Sequence, residues 1–175
     1  MRRVLVVGSG GAGKTMFATR LGERTGLPVI HLDAAYWRPG WVEPPADEWR
    51  RTVEGLLARD AWIMDGNFCA TLEMRLAACD TAIFLDRSRW VCLWRVGRRV
   101  LRFHGRTRPD MGPGCAESID WEFLRWIWRY PLDSRPQVLA RLIAAGPGKR
   151  IVRLRSEREV GAFLRRASST PRPAP

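Results

Sequence analysis

The stretch Gly8-Ser9-Gly10-Gly11-Ala12-Gly13-Lys14-Thr15 decides how the rest of the chain is read. It matches G-x-x-x-x-G-K-[ST], follows a short β-branched run at Arg3 to Val7, and leads into a helical pattern from Lys14 to Arg24 with Phe17, Ala18 and Leu21 on one side. Strand, glycine turn and helix start is the arrangement in which backbone N–H groups converge on phosphate oxygens. The residue types follow from that chemistry. Glycines keep Cβ atoms out of the anion's way, Lys14 reaches the β- and γ-phosphates, and the Thr15 hydroxyl ligates Mg²⁺. ATP with Mg²⁺ is therefore the expected cofactor pair, and Gly8 to Thr15 the expected binding loop.

Outward from this loop, short apolar runs alternate with helical patterns. Thr25-Gly26-Leu27-Pro28 ends the first helix. A strand at Pro28 to Leu32 precedes an irregular Trp/Pro/Gly-rich segment from Asp33 to Pro45, and Asp47 is placed to cap a helix bearing Trp49, Val53, Leu56 and Leu57. Further strands are expected at Ala61 to Met64, Thr81 to Leu85 and Ile151 to Leu154. Helices are expected at Arg89 to Phe103, capped by Asp86 or Ser88, then from Ser118 to Tyr130, where Pro131 would stop it, at Arg135 to Ala145, and at Glu157 to Arg166. This alternation predicts an α/β fold with a parallel sheet covered on both faces. Residues 1–168 read as one domain and 169–175 as a disordered tail.

Ligands in such sheets sit beyond the carboxyl ends of the strands. That rule selects Gly8 to Thr15, Asp33, Asp65-Gly66-Asn67, Asp86 and Arg155-Ser156 as the lining of one crevice. Asp65 is the candidate for holding a metal-bound water, because magnesium keeps most of its waters and takes one or two carboxylates. Asp33 is placed to bind or deprotonate an acceptor hydroxyl. Asp86 reads as an ordinary helix cap. Trp37 and Trp41, in the loop after Asp33, are candidates for stacking on a ring-shaped acceptor, and His31 reads as a core histidine.

The formal net charge is +12, and 28 of the 30 basic residues are arginine. Guanidinium grips phosphate bidentately, so the chain is drawn to phosphate-bearing partners. Between Arg87 and Arg108 there are eight arginines and no acid. Arg95, Arg98, Arg99 and Arg102 share one helix face. With no acid on that helix to pair with, Arg95, Arg99, Arg106 and Arg108 are expected to clamp phosphate; contact with a nucleic-acid backbone is the other reading.

Apolar residues make up 46% of the chain and no run approaches a membrane span of roughly 20 residues. Met1-Arg2-Arg3 runs straight into four apolar residues, too few for a leader, so the cytoplasm is the expected compartment. Cys69, Cys79, Cys92 and Cys115 form no C-x-x-C pair, and with two histidines they make a poor zinc set.

The phosphate loop, His31-Leu32-Asp33, Trp37-Arg38-Pro39-Gly40-Trp41, Trp62 to Asn67, Phe84-Leu85-Asp86, Arg106 to Met111 and Asp120 to Trp128 together resemble bacterial DNA topology modulation (FlaR-type) proteins. The resemblance covers roughly residues 3–166. It implies a P-loop fold of the adenylate kinase and shikimate kinase type, with strand order 2-3-1-4-5. It also implies an acceptor-binding segment at about 33–60, an arginine-bearing lid at about 95–117, and Arg155-Ser156 near the adenine. Asp65-Gly66 is similar to the Asp-Gly of adenylate kinases, whereas Asn67-Phe68 departs from the Phe-Pro-Arg found there. Two functions are carried forward: a Mg-ATP-dependent phosphotransferase acting on a nucleotide or a small hydroxyl- or phosphate-bearing acceptor, with Gly66 and Asn67 at the acceptor; and a nucleotide-responsive protein that meets DNA or an acidic partner.

Overall fold

The computed structural model describes residues 1–108 and 110–167; the expected tail at 169–175 lies outside them. Five strands run parallel: β1 (Arg3–Gly8), β2 (Val29–His31), β3 (Trp62–Asp65), β4 (Thr81–Leu85) and β5 (Arg150–Leu154). Their order is β2-β3-β1-β4-β5, so the strand feeding the glycine loop is central. Register pairs Val6 with Asp65 on one side and with Ile83 on the other. Successive side chains of a strand point to opposite faces, and two cores result. Val4, Val6, Ile63, Ile83 and Leu85 pack on α1 (Lys14–Thr25) and α7 (Glu157–Ala167); Leu5, Val7, Met64 and Phe84 pack on the opposite face against Trp49, Leu72 and Val138.

The remaining helices are α2 (Leu32–Tyr36), α3 (Ala46–Leu57), α4 (Leu72–Ala78), α5 (Arg89–Phe103) and α6 (Trp121–Ala144). Several differ from the sequence reading. Asp33 lies in the first turn of the short helix α2, which begins at Leu32, rather than in an irregular loop. Asp47 lies inside the first turn of α3, whose cap is Pro45, so its charge meets the positive end of the helix without bonding to it. Ser88, not Asp86, caps α5, and Asp120, not Ser118, caps α6. A 3-10 turn at Cys69–Thr71 leads into α4, and neither is among the elements the sequence predicts.

Pro131 does not stop its helix. Pro131 and Pro136 both lie inside α6, where each removes an N–H donor. Burial of Ile127 and Tyr130 before them and of Val138 and Leu142 after them outweighs that loss, because a break would withdraw one pair from the core. The Arg129–Asp133 ion pair bridges the same turn at 2.7 Å.

Asp86 ties β4 to two distant elements. Its carboxylate accepts from Arg135 Nε on α6 at 2.8 Å and from Arg153 Nε on β5 at 2.7 Å. Burial pushes its pKa up, but the two guanidinium groups outweigh burial and hold it below the ordinary carboxylate value. A depressed folded value gives stability that is present above about pH 4 and lost as pH falls through the folded value. Asp86→Asn is therefore expected to lower stability at pH 7 by roughly 1–2 kcal/mol and to leave it unchanged in strong acid. Denaturant melts across that range check this; a constant gap at every pH would reject it.

Candidate active site

The loop after β1 builds the floor of the site. Gly13 precedes α1 with φ of 94°, a left-handed conformation that lets Lys14 start the helix at once. A Cβ on Gly11 would strike the Cys92 carbonyl of α5, so the loop lies directly on that helix. Lys14 Nζ donates to the Gly8 and Ser9 carbonyls at 2.9 and 3.0 Å, which curls the ammonium over the loop. Burial lowers the lysine from its ordinary value, while the carboxylates of Asp33 and Asp65 act the other way.

A cavity of about 590 Å³ opens above this loop, within the range of small-molecule sites. Its lining brings together Gly10 to Thr15, Asp33, Asn67, Arg95, Arg99 and Arg108. Gly8 and Ser9 begin the loop beneath it. Asn67 Oδ1 accepts from the Gly8 N–H at 3.4 Å, which holds the loop after β3 against the phosphate loop. Burial raises Asp33 above its ordinary value, with Lys14 opposing.

Asp65 sits one step back from the cavity, 4% exposed. Its Oδ2 accepts from the Thr15 hydroxyl at 3.1 Å, and its Oδ1 meets His31 Nδ1 at 2.6 Å. The hydrogen bond to Asp65 raises His31 from its ordinary value against the opposing effect of burial. His31 is thus the outer support of a carboxylate rather than a core histidine. A hydroxyl and a carboxylate side by side beneath a phosphate loop are hard oxygen donors, and they fit Mg²⁺.

The arginines are arranged differently from a bare cationic face. Arg95 Nη1 donates to the Ala12 carbonyl at 3.1 Å, and Arg95 also pairs with Glu157 of α7. Arg99 and Arg108 share Glu117: Arg99 Nε donates to Oε1 at 2.8 Å, and Arg108 Nε lies 2.8 Å from Oε2. Arg108 Nη1 further donates to Asp110 at 2.8 Å. The helix lacks acids of its own, but Glu117, Asp110 and Glu157 supply them from elsewhere in the chain. Glu117 is only 3% exposed and gave no local signal in the sequence. Arg106 is exposed and does not line the cavity, whereas Arg98 and Arg102 do, lying over the Trp94 and Phe103 rings.

Trp37 also lies outside the lining, packed edge-on against Tyr36 and Trp41. Gly66 sits behind Asn67, with Leu32 where its Cβ would be. Ser156 caps α7 by accepting from the Glu159 N–H at 3.1 Å, and Arg155 is exposed; their neighbours Glu157, Val160 and Leu164 reach the cavity instead. All four cysteines are free, no cluster among the described residues suits a metal held by His, Cys and acids, and no described helix is long and apolar enough to cross a membrane.

A central strand, a glycine loop with Lys14 and a flanking arginine helix define the P-loop kinase fold, and the strand order expected from it is the one observed. Solved structures agree. The chain is similar to a gluconokinase from Sinorhizobium meliloti 1021, with 18% identity, 95% of this chain and 93% of that one covered, and a TM-score of 0.55. It is similar to the shikimate kinase of Acinetobacter baumannii in complex with shikimate, with 16% identity, 95% and 90% covered, and a TM-score of 0.59. A shikimate kinase from Bacteroides thetaiotaomicron gives 14% identity, 94% and 95% covered, and a TM-score of 0.56. At such identities the likeness is one of fold. No protein-family model matches the sequence, and no curated protein does.

Proposed function

We propose that this protein is a Mg-ATP-dependent phosphotransferase that moves the γ-phosphoryl group to a small acceptor. The observation that carries the reading is one cavity lined both by the loop Gly10 to Thr15 with Lys14 and by the carboxylate of Asp33. The kinase names borne by the structural neighbours support it.

Loop amides and Lys14 bind the β- and γ-phosphates and stabilise charge that grows on the transferring group. Thr15 and Asp65 would hold Mg²⁺, which would supply positive charge beside the phosphates; His31 keeps the Asp65 carboxylate turned toward Thr15. Asp33 Oδ takes the proton of the acceptor hydroxyl as its oxygen attacks. Arg95, Arg98 and Arg102 surround the phosphates from α5, while Arg99 and Arg108, through Glu117, tie that helix to the segment after it, which serves as a lid. The base of the nucleotide lies toward Arg87, Val160 and Leu164, close to Arg155 and Ser156. The DNA-binding alternative draws less support, because Arg95, Arg99 and Arg108 turn inward onto acids.

Calorimetry with ATP and Mg²⁺ tests the binding half, and Asp33→Asn tests the transfer half. The variant is expected to lose roughly 10²–10⁴-fold in kcat with ATP affinity retained. A base works only when deprotonated, and burial raises Asp33, so wild-type turnover falls as pH drops through a value above the usual carboxylate range. Asp33→Asn should abolish that acid limb. Unchanged turnover in the variant, or no ATP uptake by folded protein, rejects the scheme.

A further inference from the structure

The sheet order divides the cavity into two ends. β1 and Lys14 lie in the middle. Toward β2 and β3 the lining is Asp33 and Asn67; toward β4 and β5 it is Arg87, Glu157, Val160 and Leu164. The segment after α5 belongs to the first end. Gly40 N–H donates to the Gly114 carbonyl at 2.9 Å, Trp41 Nε1 donates to the Ala116 carbonyl at 2.9 Å, and Cys115 Sγ donates to the Arg38 carbonyl at 3.3 Å. Residues 114–116 are thereby laid on the segment after α2. Arg108 and Asp110 also line the cavity and interact electrostatically with Asp33.

Among the described residues at this end, neither guanidinium, Arg99 or Arg108, is left uncommitted for a second phosphate. Three carboxylates, Asp33, Asp110 and Glu117, face two guanidinium groups, and Arg99 and Arg108 are each committed to Glu117 or Asp110. Arg38 and Arg50, on the acceptor segment, are exposed, paired with Glu48 and Glu54, and absent from the lining. A phosphate monoester carries nearly two negative charges near neutral pH and needs an uncommitted guanidinium to hold it. Placing it between Asp33 and Asp110 sets like charges together out of bulk water. Hydroxyl groups meet no such obstacle, since they donate to Asp33 and Asp110 and accept from Asn67 and Arg108. Phe123 and Trp126, stacked with ring centroids 5.8 Å apart, offer an apolar wall for the C–H face of such a molecule.

We infer that the acceptor is a phosphate-free polyhydroxyl compound and not a nucleoside monophosphate. The inference rests on the phosphotransferase reading above. In the step it implies, the acceptor O–H proton passes to Asp33, the acceptor oxygen forms a bond to the γ-phosphorus, and the bond from that phosphorus to the β–γ bridging oxygen breaks. ADP leaves with the electron pair.

The test measures ADP release by wild-type protein with ATP and Mg²⁺. One panel contains sugars, polyols, cyclitols and aldonic acids, and a second contains the four common nucleoside monophosphates. At least one member of the first panel is expected to raise ADP release tenfold or more above the rate with water, and none of the second. In parallel, calorimetry follows AMP binding to protein whose donor site is filled with a non-hydrolysable ATP analogue. Asp110→Asn, which removes a like charge and releases Arg108 Nη1 while Glu117 still holds Nε, is expected to strengthen AMP binding at least tenfold over wild type. Stimulation by a nucleoside monophosphate, stimulation by neither panel, or AMP affinity unaltered in the variant overturns the inference. Failure of the wild type to take up ATP overturns instead the phosphotransferase reading on which it rests.

Discussion

Lys14→Ala is expected to lower turnover by at least about a thousandfold, which corresponds to roughly 4 kcal/mol of transition-state stabilisation. The ammonium already sits over the loop, held by two carbonyls that a phosphate oxygen can replace as partners without moving the helix start. On the proposed phosphotransferase reading it is preorganised where negative charge would grow, in a cavity where such a contact is worth far more than in bulk water. The loss should appear mainly in kcat, with a smaller weakening of ATP binding, because the loop amides remain. Lys14→Arg is not expected to rescue, since a planar fork cannot occupy the space of a compact ammonium beneath the Gly8 and Ser9 carbonyls. Steady-state kinetics beside ATP calorimetry check both statements, and turnover of Lys14→Ala within tenfold of wild type would remove Lys14 from the mechanism.

What could be read from the sequence was local or topological. The phosphate loop is contiguous, and the five strands are short apolar runs bounded by turns. The rule about strand carboxyl ends then gathered Lys14, Asp33 and Asn67 into one cavity without any knowledge of side-chain positions. What could not be read depends on pairing across long sequence distances. Charge patterning along α5 sees no acid, yet Glu157 reaches Arg95 from α7 and Glu117 reaches Arg99 from the following segment. The break expected at Pro131 failed for a related reason: proline's effect is local, whereas burial of both halves of α6 is tertiary. Helix α4 is seven residues long, with only Leu72 and Leu76 to show a period, and a pattern of two positions is below what periodicity can resolve. Trp37 was assigned to the acceptor because it follows Asp33; the two-strand bridge between Arg38 and Val42 folds the ring back onto Tyr36 and Trp41 instead.

The residue with the largest expected effect on stability had no signal in the sequence at all. Arg75 in α4 is completely buried, and among the described residues no carboxylate pairs with it. Its guanidinium is bound instead by backbone carbonyls: Nη1 donates to Gly66 at 3.0 Å, Nη2 to Phe68 at 2.7 Å and to Asn67 at 3.3 Å, and Nε to Thr71 at 3.3 Å. Burial lowers it to about 10, so it remains a cation at neutral pH. Four carbonyls of one loop are turned inward around a single positive fork, and that loop carries Asn67 into the cavity directly after Asp65. Arg75→Met keeps much of the volume and removes every donor, stranding the Gly66 and Asn67 carbonyls at about 1–3 kcal/mol each before relaxation, while the Phe68 carbonyl keeps only its bonds from Thr71. A net loss of about 3–5 kcal/mol is expected. At about 2–4 °C per kcal/mol for a chain of this size, Tm should fall by roughly 6–20 °C. Arg75→Lys should recover only part, because an ammonium cannot span carbonyls on both sides of the fork. Below the melting range, ATP and acceptor kinetics separate support of the fold from support of the site. The folded variant is expected to show weakened acceptor use, since Asn67 is no longer held against Gly8. A Tm within 2 °C of wild type would mean that the loop does not depend on Arg75 for its shape.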